Sequence, residues 1–155
     1  MTPPDPSAGR IAGIDYGTVR IGIAVCDETR TFASPLENYT RRDEQADARR
    51  FRELVRDEQI TRFVVGLPVH LDGQESQKSY ESRQFAKWLT EVTGVPVDLF
   101  DERFTSHEAE QQLLAAGLTS KRRKKRLDML AAQMLLAAYL EAGCPTSHEP
   151  GALDE

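Results

Sequence analysis

A short connection between two apolar segments near the N-terminus constrains the fold more than any other feature of the sequence. Residues 10–16 and 20–27 are apolar runs, and Tyr16-Gly17-Thr18-Val19 joins them. Within the second run, large and small apolar residues alternate, which is typical of a strand. Because so short a connection permits only antiparallel pairing, the two runs predict a β-hairpin.

The rest of the chain alternates strand-like and helical patterns. A third strand is predicted over residues 31–39, where Pro35 makes it irregular or places it at an edge. Further strands are predicted at 62–67 and 95–100, and helices at 43–57, 76–93, 106–116 and 127–142. Strands separated by helices pair in parallel through right-handed crossovers. The order therefore predicts an α/β fold with a mixed five-stranded sheet and helices on both faces.

The length of 155 residues predicts one domain, over residues 10–142, with polar tails at 1–9 and 143–155. No apolar run approaches the roughly 20 residues of a membrane helix. The N-terminus lacks the apolar stretch of a secretory signal, so we expect a cytoplasmic protein. Cys26 and Cys144 form no disulfide framework or zinc spacing, and Cys26 is predicted to be a core residue.

The charge distribution bears on nucleic-acid binding. A net charge of −5 argues against a phosphate-binding surface, but six consecutive residues are basic: Lys121, Arg122, Arg123, Lys124, Lys125 and Arg126. This run is predicted to be a linker before the last helix, which is apolar nearly all round and should be buried. The run contacts a phosphate backbone in one interpretation and is simply a solvated or mobile segment in the other.

Three acidic residues lie in apolar surroundings. Asp15 lies within the first strand, Glu102 follows Asp101 at the end of a buried strand, and Asp128 lies near the start of the last helix. Each has an ordinary explanation, as a turn residue, a solvated loop start or a partner of the helix dipole. Strand alternation allows at most one of Asp101 and Glu102 to enter a shared site, and the residues alone do not show which.

Clustered carboxylates repel one another unless a cation compensates them. Mg²⁺ prefers hard oxygen ligands and keeps several waters, so two or three carboxylates suffice. Such a cluster supports phosphodiester hydrolysis without a nucleophilic side chain. The sequence has no local signature of a Ser-His-Asp or Cys-His catalytic set.

Four segments in order resemble the YqgF family, the bacterial group of pre-16S rRNA nuclease and Holliday-junction-resolvase-like proteins. They are GIDYGTVRIGIAVCD at 13–27, VVGLPVHLDG at 64–73, DERFTSHEAE at 101–110 and KRRKKRLDMLAAQMLLAAYL at 121–140. The resemblance implies a ribonuclease-H-like fold. It also implies that Asp15, Glu102 and Asp128 are the catalytic and metal-binding residues, which selects Glu102 over Asp101. Mg²⁺ is the implied ion, with Mn²⁺ as an alternative.

The resemblance implies a metal-dependent nuclease that acts in 5′-end processing of pre-16S rRNA. We expect Arg20 of the first motif to orient Asp15 or contact phosphate, and the basic run, in the first of its two interpretations, to contact the phosphate backbone. Tyr16, Tyr39 and Phe104 are candidates for base stacking, although packing is the commoner role of such residues.

Two other functions remain open: a resolvase of four-way DNA junctions, and a non-catalytic nucleic-acid-binding module. The expected partner is structured precursor rRNA or branched DNA, with no membrane, and the protein is a monomer or a homodimer. An actin-like sugar kinase shares the Asp-x-Gly-Thr turn but needs two related domains, for which 155 residues are too few.

Overall fold

The computed structural model describes residues 9–68, 76–102 and 120–145, and of residues 120–128 it describes only the backbone. The described strands are β1 (Arg10–Asp15), β2 (Arg20–Cys26), β3 (Ala33–Thr40), β4 (Ile60–Leu67) and β5 (Val97–Asp101). The described helices are α1 (Glu44–Glu58), α2 (Gln77–Thr93) and α3 (Ser120–Glu141). The predicted helix at 106–116 and most of the predicted loop at 68–73 lie outside the described residues.

The five strands form one mixed sheet in the order β3-β2-β1-β4-β5. The pairs β1–β2 and β2–β3 are antiparallel, whereas β1–β4 and β4–β5 are parallel. Ile23 pairs with Glu37 but Ala24 pairs with Pro35, so a bulge interrupts β3 beside the proline. The predicted hairpin, the mixed sheet and the irregular edge strand are therefore confirmed.

Each face of the sheet has its own hydrophobic core. On one face α1 and α2 cover sheet residues such as Ile14 and Val65, and Phe85 of α2 packs into this core. On the other face α3 covers residues such as Ile11 and Val64. Because neighbouring strand residues point to opposite faces, this assignment fixes which face every residue of β1 and β4 occupies.

Cys26 belongs to the core under α3, as predicted. It is 2% exposed, and its Sγ accepts a hydrogen bond of 3.1 Å from the backbone N–H of Ile11. Burial raises the pKa of the Cys26 thiol, so the group stays protonated at neutral pH.

Helix α3 crosses β1 at very short range. A Cβ atom at Gly13 would lie 2.8 Å from the Cβ of Leu136 and 3.0 Å from the carbonyl oxygen of Ala132. Only a residue without a side chain allows this approach, so Gly13 sets the distance between the helix and the sheet.

Two expectations about α3 are wrong. The helix begins at Ser120, so the basic run 121–126 is helical and is not a linker. Lys and Arg have good helix propensity, and this allows the helix to extend through the run. The helix is also not buried all round, because Ala131 and Ala137 are exposed. Its buried residues lie along one stripe, made of Ala132, Leu135, Leu136 and Tyr139.

A buried polar cluster anchors the C-terminal half of α3 to the N-terminal ends of β4 and β5. The Tyr139 hydroxyl donates to Asp98 Oδ2 at 2.6 Å and accepts from Arg62 at 3.3 Å. Burial, reinforced by the hydrogen bond to Asp98, raises the pKa of Tyr139, which therefore remains a donor at neutral pH.

We expect Tyr139→Phe to lower the free energy of unfolding by about 1–3 kcal/mol, because it removes a hydrogen bond to a largely buried carboxylate. Urea unfolding would measure the change. Tyr80→Phe is the matched control, since Tyr80 is 58% exposed and its hydroxyl should contribute little. Equal effects of the two substitutions would contradict the stabilising role of this cluster.

Within the residues described, no helix has the length and apolar character needed to cross a membrane.

Candidate active site

A pocket of about 280 Å³ opens at the carboxyl ends of β1, β4 and β5. Carboxyl ends of parallel strands are the usual place for ligand sites in open α/β sheets. Asp15 and Glu102 line this carboxylate pocket together with residues of the β1–β2 turn, Pro68 and the first turns of α2. Two of the three predicted acids therefore lie in one pocket.

We expected Asp15 to lie within the first strand, but it is the last residue of β1. Ile14 is buried under α1 and α2, whereas Gly13 lies against α3. Alternation places Asp15 on the same side as Gly13, and it is half-buried there. Arg20 begins β2, two residues before Gly22, the partner of Asp15 across the hairpin. The same alternation places Arg20 on the face of Asp15.

The alternation of β5 distinguishes Asp101 from Glu102. Leu99 packs against the core of α1 and α2, whereas Phe100 is buried under α3. Asp101 therefore belongs to the side of α1 and α2, and Glu102 belongs to the side of Asp15. The geometry agrees with the choice of Glu102 that the family resemblance implied.

Gly66 of β4 makes room for the Glu102 side chain. A Cβ atom at Gly66 would lie 2.6 Å from Glu102 Oε1 and 3.1 Å from its Cγ. Gly66 sits between Val65 and Leu67, in the central parallel strand that separates β1 from β5. The Glu102 side chain thus extends from the end of β5 across the backbone of β4, in the direction of β1.

We expect Gly66→Ala to lower activity by about 10²-fold without unfolding the protein. The new methyl group would meet the flexible end of Glu102 and displace its carboxylate, and a misplacement of about 1 Å can cost that much. Cleavage rates and melting temperatures would be compared with those of Gly143→Ala, where a Cβ meets nothing within 4 Å and the left-handed φ of 85° lowers only the stability. Unchanged cleavage by Gly66→Ala would contradict the need for this glycine.

The donor chemistry of the pocket fits a hard divalent cation. Asp15 and Glu102 offer carboxylate oxygens, and Mg²⁺ is commonly held by one or two carboxylates with waters completing its shell. The described residues that line the pocket include no Cys or His. Among the described residues, no three His, Cys, Asp or Glu side chains are close enough to hold a metal together.

Asp128, the third predicted acid, is a residue of α3, one turn before Ala132. Its side chain lies outside the described part of the structure, as do those of residues 121–126, so the predicted roles remain predictions. Ala132 is the residue whose carbonyl oxygen approaches Gly13 in β1. The stretch of α3 that carries Asp128 therefore adjoins the strand that ends in Asp15.

Sequence patterns did not identify three further residues of the pocket. Lys78, Glu81 and Ser82 line it from α2. They occur at positions i, i+3 and i+4, which places them on one face of the helix. That spacing of polar residues was the available signal, but it is common on any solvated helix.

Tyr16 and Tyr39 pack within the protein. Tyr39 is only 9% exposed, and its hydroxyl donates to Asp47 at 2.7 Å. The Tyr16 ring lies 4.6 Å from the Phe85 ring. Phe104 lies outside the described residues.

The solved structures that resemble this chain support the ribonuclease-H-like fold. T. thermophilus RuvC in complex with a Holliday junction substrate aligns with a TM-score of 0.52 and 17% identity, over 89% of this chain and 98% of RuvC. The fowlpox virus Holliday junction resolvase aligns with a TM-score of 0.50 and 15% identity, over 86% of this chain and 98% of the resolvase. At such identities the likeness establishes the fold alone.

Sequence relatives are much closer. A Rhodopirellula baltica protein named "Putative pre-16S rRNA nuclease" is 51% identical over 137 residues, which are 88% of this chain and 79% of the relative. A protein of the same name from Anaeromyxobacter sp. (strain K) is 42% identical over 136 residues, 88% of this chain and 99% of the relative. The family model described as RuvX, Holliday junction resolvase, matches residues 9–142. The predicted resemblance to YqgF proteins is confirmed, and the chain belongs to this RuvX family.

Proposed function

We propose that this protein is a metal-dependent nuclease that hydrolyses phosphodiester bonds in 5′-end processing of pre-16S rRNA. The observation that carries the proposal is the meeting of Asp15 and Glu102 in one pocket at the carboxyl edge of the sheet. The names of the relatives from R. baltica and Anaeromyxobacter support precursor rRNA as the substrate.

Asp15 and Glu102 would hold the cation, with Asp128 of α3 as the third acidic residue. Mg²⁺ suits this set of oxygen donors, and Mn²⁺ is the alternative ion. When bound, the cation supplies Lewis-acid stabilisation of phosphate oxygens and lowers the pKa of water. By holding the cation, the two carboxylates would also position the phosphate.

Basic residues around the pocket would hold the backbone of the nucleic acid. Lys78 lines the pocket and is exposed, and Arg20 shares the sheet face of Asp15. The basic run 121–126 occupies the first turns of α3, where the helix dipole adds to its positive charge. Contacts of this kind position a strand without reading its sequence.

A four-way DNA junction is the second candidate substrate. The description of the family model as a Holliday junction resolvase favours it. Cutting a two-fold symmetric junction would need two active sites, and therefore a homodimer, whereas a monomer suffices for rRNA.

The pairing of Asp15 with Glu102 weighs against the third candidate, a non-catalytic binding module. We place the protein in the cytoplasm, where precursor rRNA is processed in bacteria.

A side-by-side cleavage assay would test the proposal. The protein would be incubated with a mimic of the 5′ end of precursor rRNA and with a four-way DNA junction, with Mg²⁺ and with a chelator. We expect Mg²⁺-dependent cleavage of the RNA. Cleavage of the junction alone would replace the rRNA function with resolution, and cleavage of neither would favour the non-catalytic module.

A further inference from the structure

A second cavity, of about 350 Å³, lies beside the carboxylate pocket, and four aromatic rings line it together with polar and charged side chains. Tyr16, Tyr80, Phe85 and Trp88 line this aromatic cavity. Tyr16 and Glu81 line both cavities, so the two cavities are adjacent. Asp15, the last residue of β1, lines the carboxylate pocket, and the residue that follows it, Tyr16, reaches the aromatic cavity as well.

The buried carboxylate of Asp47 orders the side chains at the base of the aromatic cavity. Asp47 is 2% exposed and accepts hydrogen bonds from the Tyr39 hydroxyl and, at 2.9 Å, from the Arg42 backbone N–H. Arg41 lies 3.4 Å from Asp47 and donates to the Tyr16 hydroxyl at 2.8 Å. These contacts fix the positions of Tyr16 and Arg41 before any ligand binds.

Ring surface is available above these side chains. Tyr80 is 58% exposed and lines the cavity, so its ring presents accessible surface there. Trp88 packs against Phe85 at 5.6 Å between ring centroids, and its indole N–H donates to Glu44 at 3.1 Å. The contacts with Phe85 and Glu44 thus fix the position of the Trp88 ring without filling the cavity.

The charge balance argues for a neutral, flat ligand. Arg41 and Arg42 line the cavity, but so do Glu44, Asp47 and Glu81. Three carboxylates beside two guanidinium groups do not attract a phosphate. Aromatic faces next to Arg do bind nucleobases, whatever the sequence, because every base has a π-face.

We propose that the aromatic cavity binds an unpaired nucleobase of the substrate strand, next to the phosphate that reaches Asp15 and Glu102. This inference rests on the proposed nuclease function. It adds a requirement that the strand be locally unpaired at the cut, because a base within a duplex cannot enter a cavity between two helices.

Trp88 provides the test, since it is the only tryptophan of the chain. Its fluorescence would be followed while a short oligoadenylate RNA is added without divalent cations, so that the strand stays intact. A strand of the same length with abasic nucleotides is the control ligand. We expect the oligoadenylate to quench Trp88 and the abasic strand to leave it unchanged.

Tyr80 tests the stacking surface. We expect Tyr80→Ala to weaken oligoadenylate binding by roughly five- to 150-fold, the range for loss of one stacked base. Tyr80→Phe keeps the ring and should bind within about threefold of the wild type. Since Tyr80 is largely exposed, both variants should melt near the wild-type temperature.

Two results would overturn the nucleobase site: equal quenching by the abasic strand, or unchanged affinity of Tyr80→Ala. The cleavage assay separates this site from the proposed function. Base-dependent quenching without cleavage would support the nucleobase site and reject the nuclease function. Cleavage without base-dependent quenching would support the nuclease function and reject the nucleobase site.

Discussion

Asp15→Asn is expected to lower cleavage by at least about 10²-fold while the protein stays folded, because loss of a single preorganised group in an active site already costs that much. Asn keeps the shape of Asp15 but removes the charge that would hold the cation. The carboxylate lies at the end of β1, half-buried and facing the same pocket as Glu102. Cleavage of labelled RNA over a range of Mg²⁺ concentrations would measure the effect.

Glu102→Gln should give a loss of similar size if the two carboxylates act on one cation. Glu91→Gln, at an exposed position of α2 away from the pocket, is the matched control and should cleave normally. Both active-site variants should also need more Mg²⁺ for whatever activity remains. Full activity of Asp15→Asn would remove Asp15 from the active site and with it the central support for the proposed function.

Gly13→Ala is expected to destabilise the protein by about 1–3 kcal/mol, the usual cost of adding atoms to a packed core. The added methyl group would lie 2.8 Å from the Cβ of Leu136, and that atom cannot rotate away. The helix must therefore move off the sheet. Urea unfolding at neutral pH would give the change in the free energy of unfolding.

Gly94→Ala separates this clash from the general effect of replacing a glycine. Gly94 ends α2 with φ of 73°, and a Cβ there meets nothing within 4 Å. Its cost is the left-handed backbone strain alone, about 1–2 kcal/mol. Gly13→Ala should in addition reduce cleavage, because α3 carries Asp128. Normal activity in a Gly13→Ala protein would show that this approach of α3 to β1 is not needed for the site.

The pattern of apolar runs separated by turn residues was enough to predict the hairpin and the sheet, because strands that are buried on both faces are apolar almost throughout. It could not distinguish Asp101 from Glu102. Both Leu99 and Phe100 are apolar, and each is covered by a different core. With two buried faces, hydrophobicity carries no information on which residue points to which helix.

The start of α3 was mispredicted for a related reason. A run of six basic residues has no apolar periodicity, and a positive charge is unfavourable near a helix N-terminus. Helix propensity and the continuation of an established helix outweigh that penalty here.

Lys78 and Glu81 were missed because a pocket made by several elements depends on tertiary structure. The turn after β1, the end of β5 and the start of α2 are far apart in the chain. The acids of β1 and β5 were noticeable because they interrupt apolar runs. Polar residues on an exposed helix face interrupt no apolar run, so the sequence does not single them out.

The bulge at Pro35 has a consequence for self-assembly. An exposed edge strand is a template on which a second copy of a protein can extend the sheet. Pro35 offers no N–H group to such a copy, and the shift of register beside it bends the strand. A continuous intermolecular sheet through β3 is therefore disfavoured, and any two-fold partner that junction cutting requires should dock on a surface other than β3.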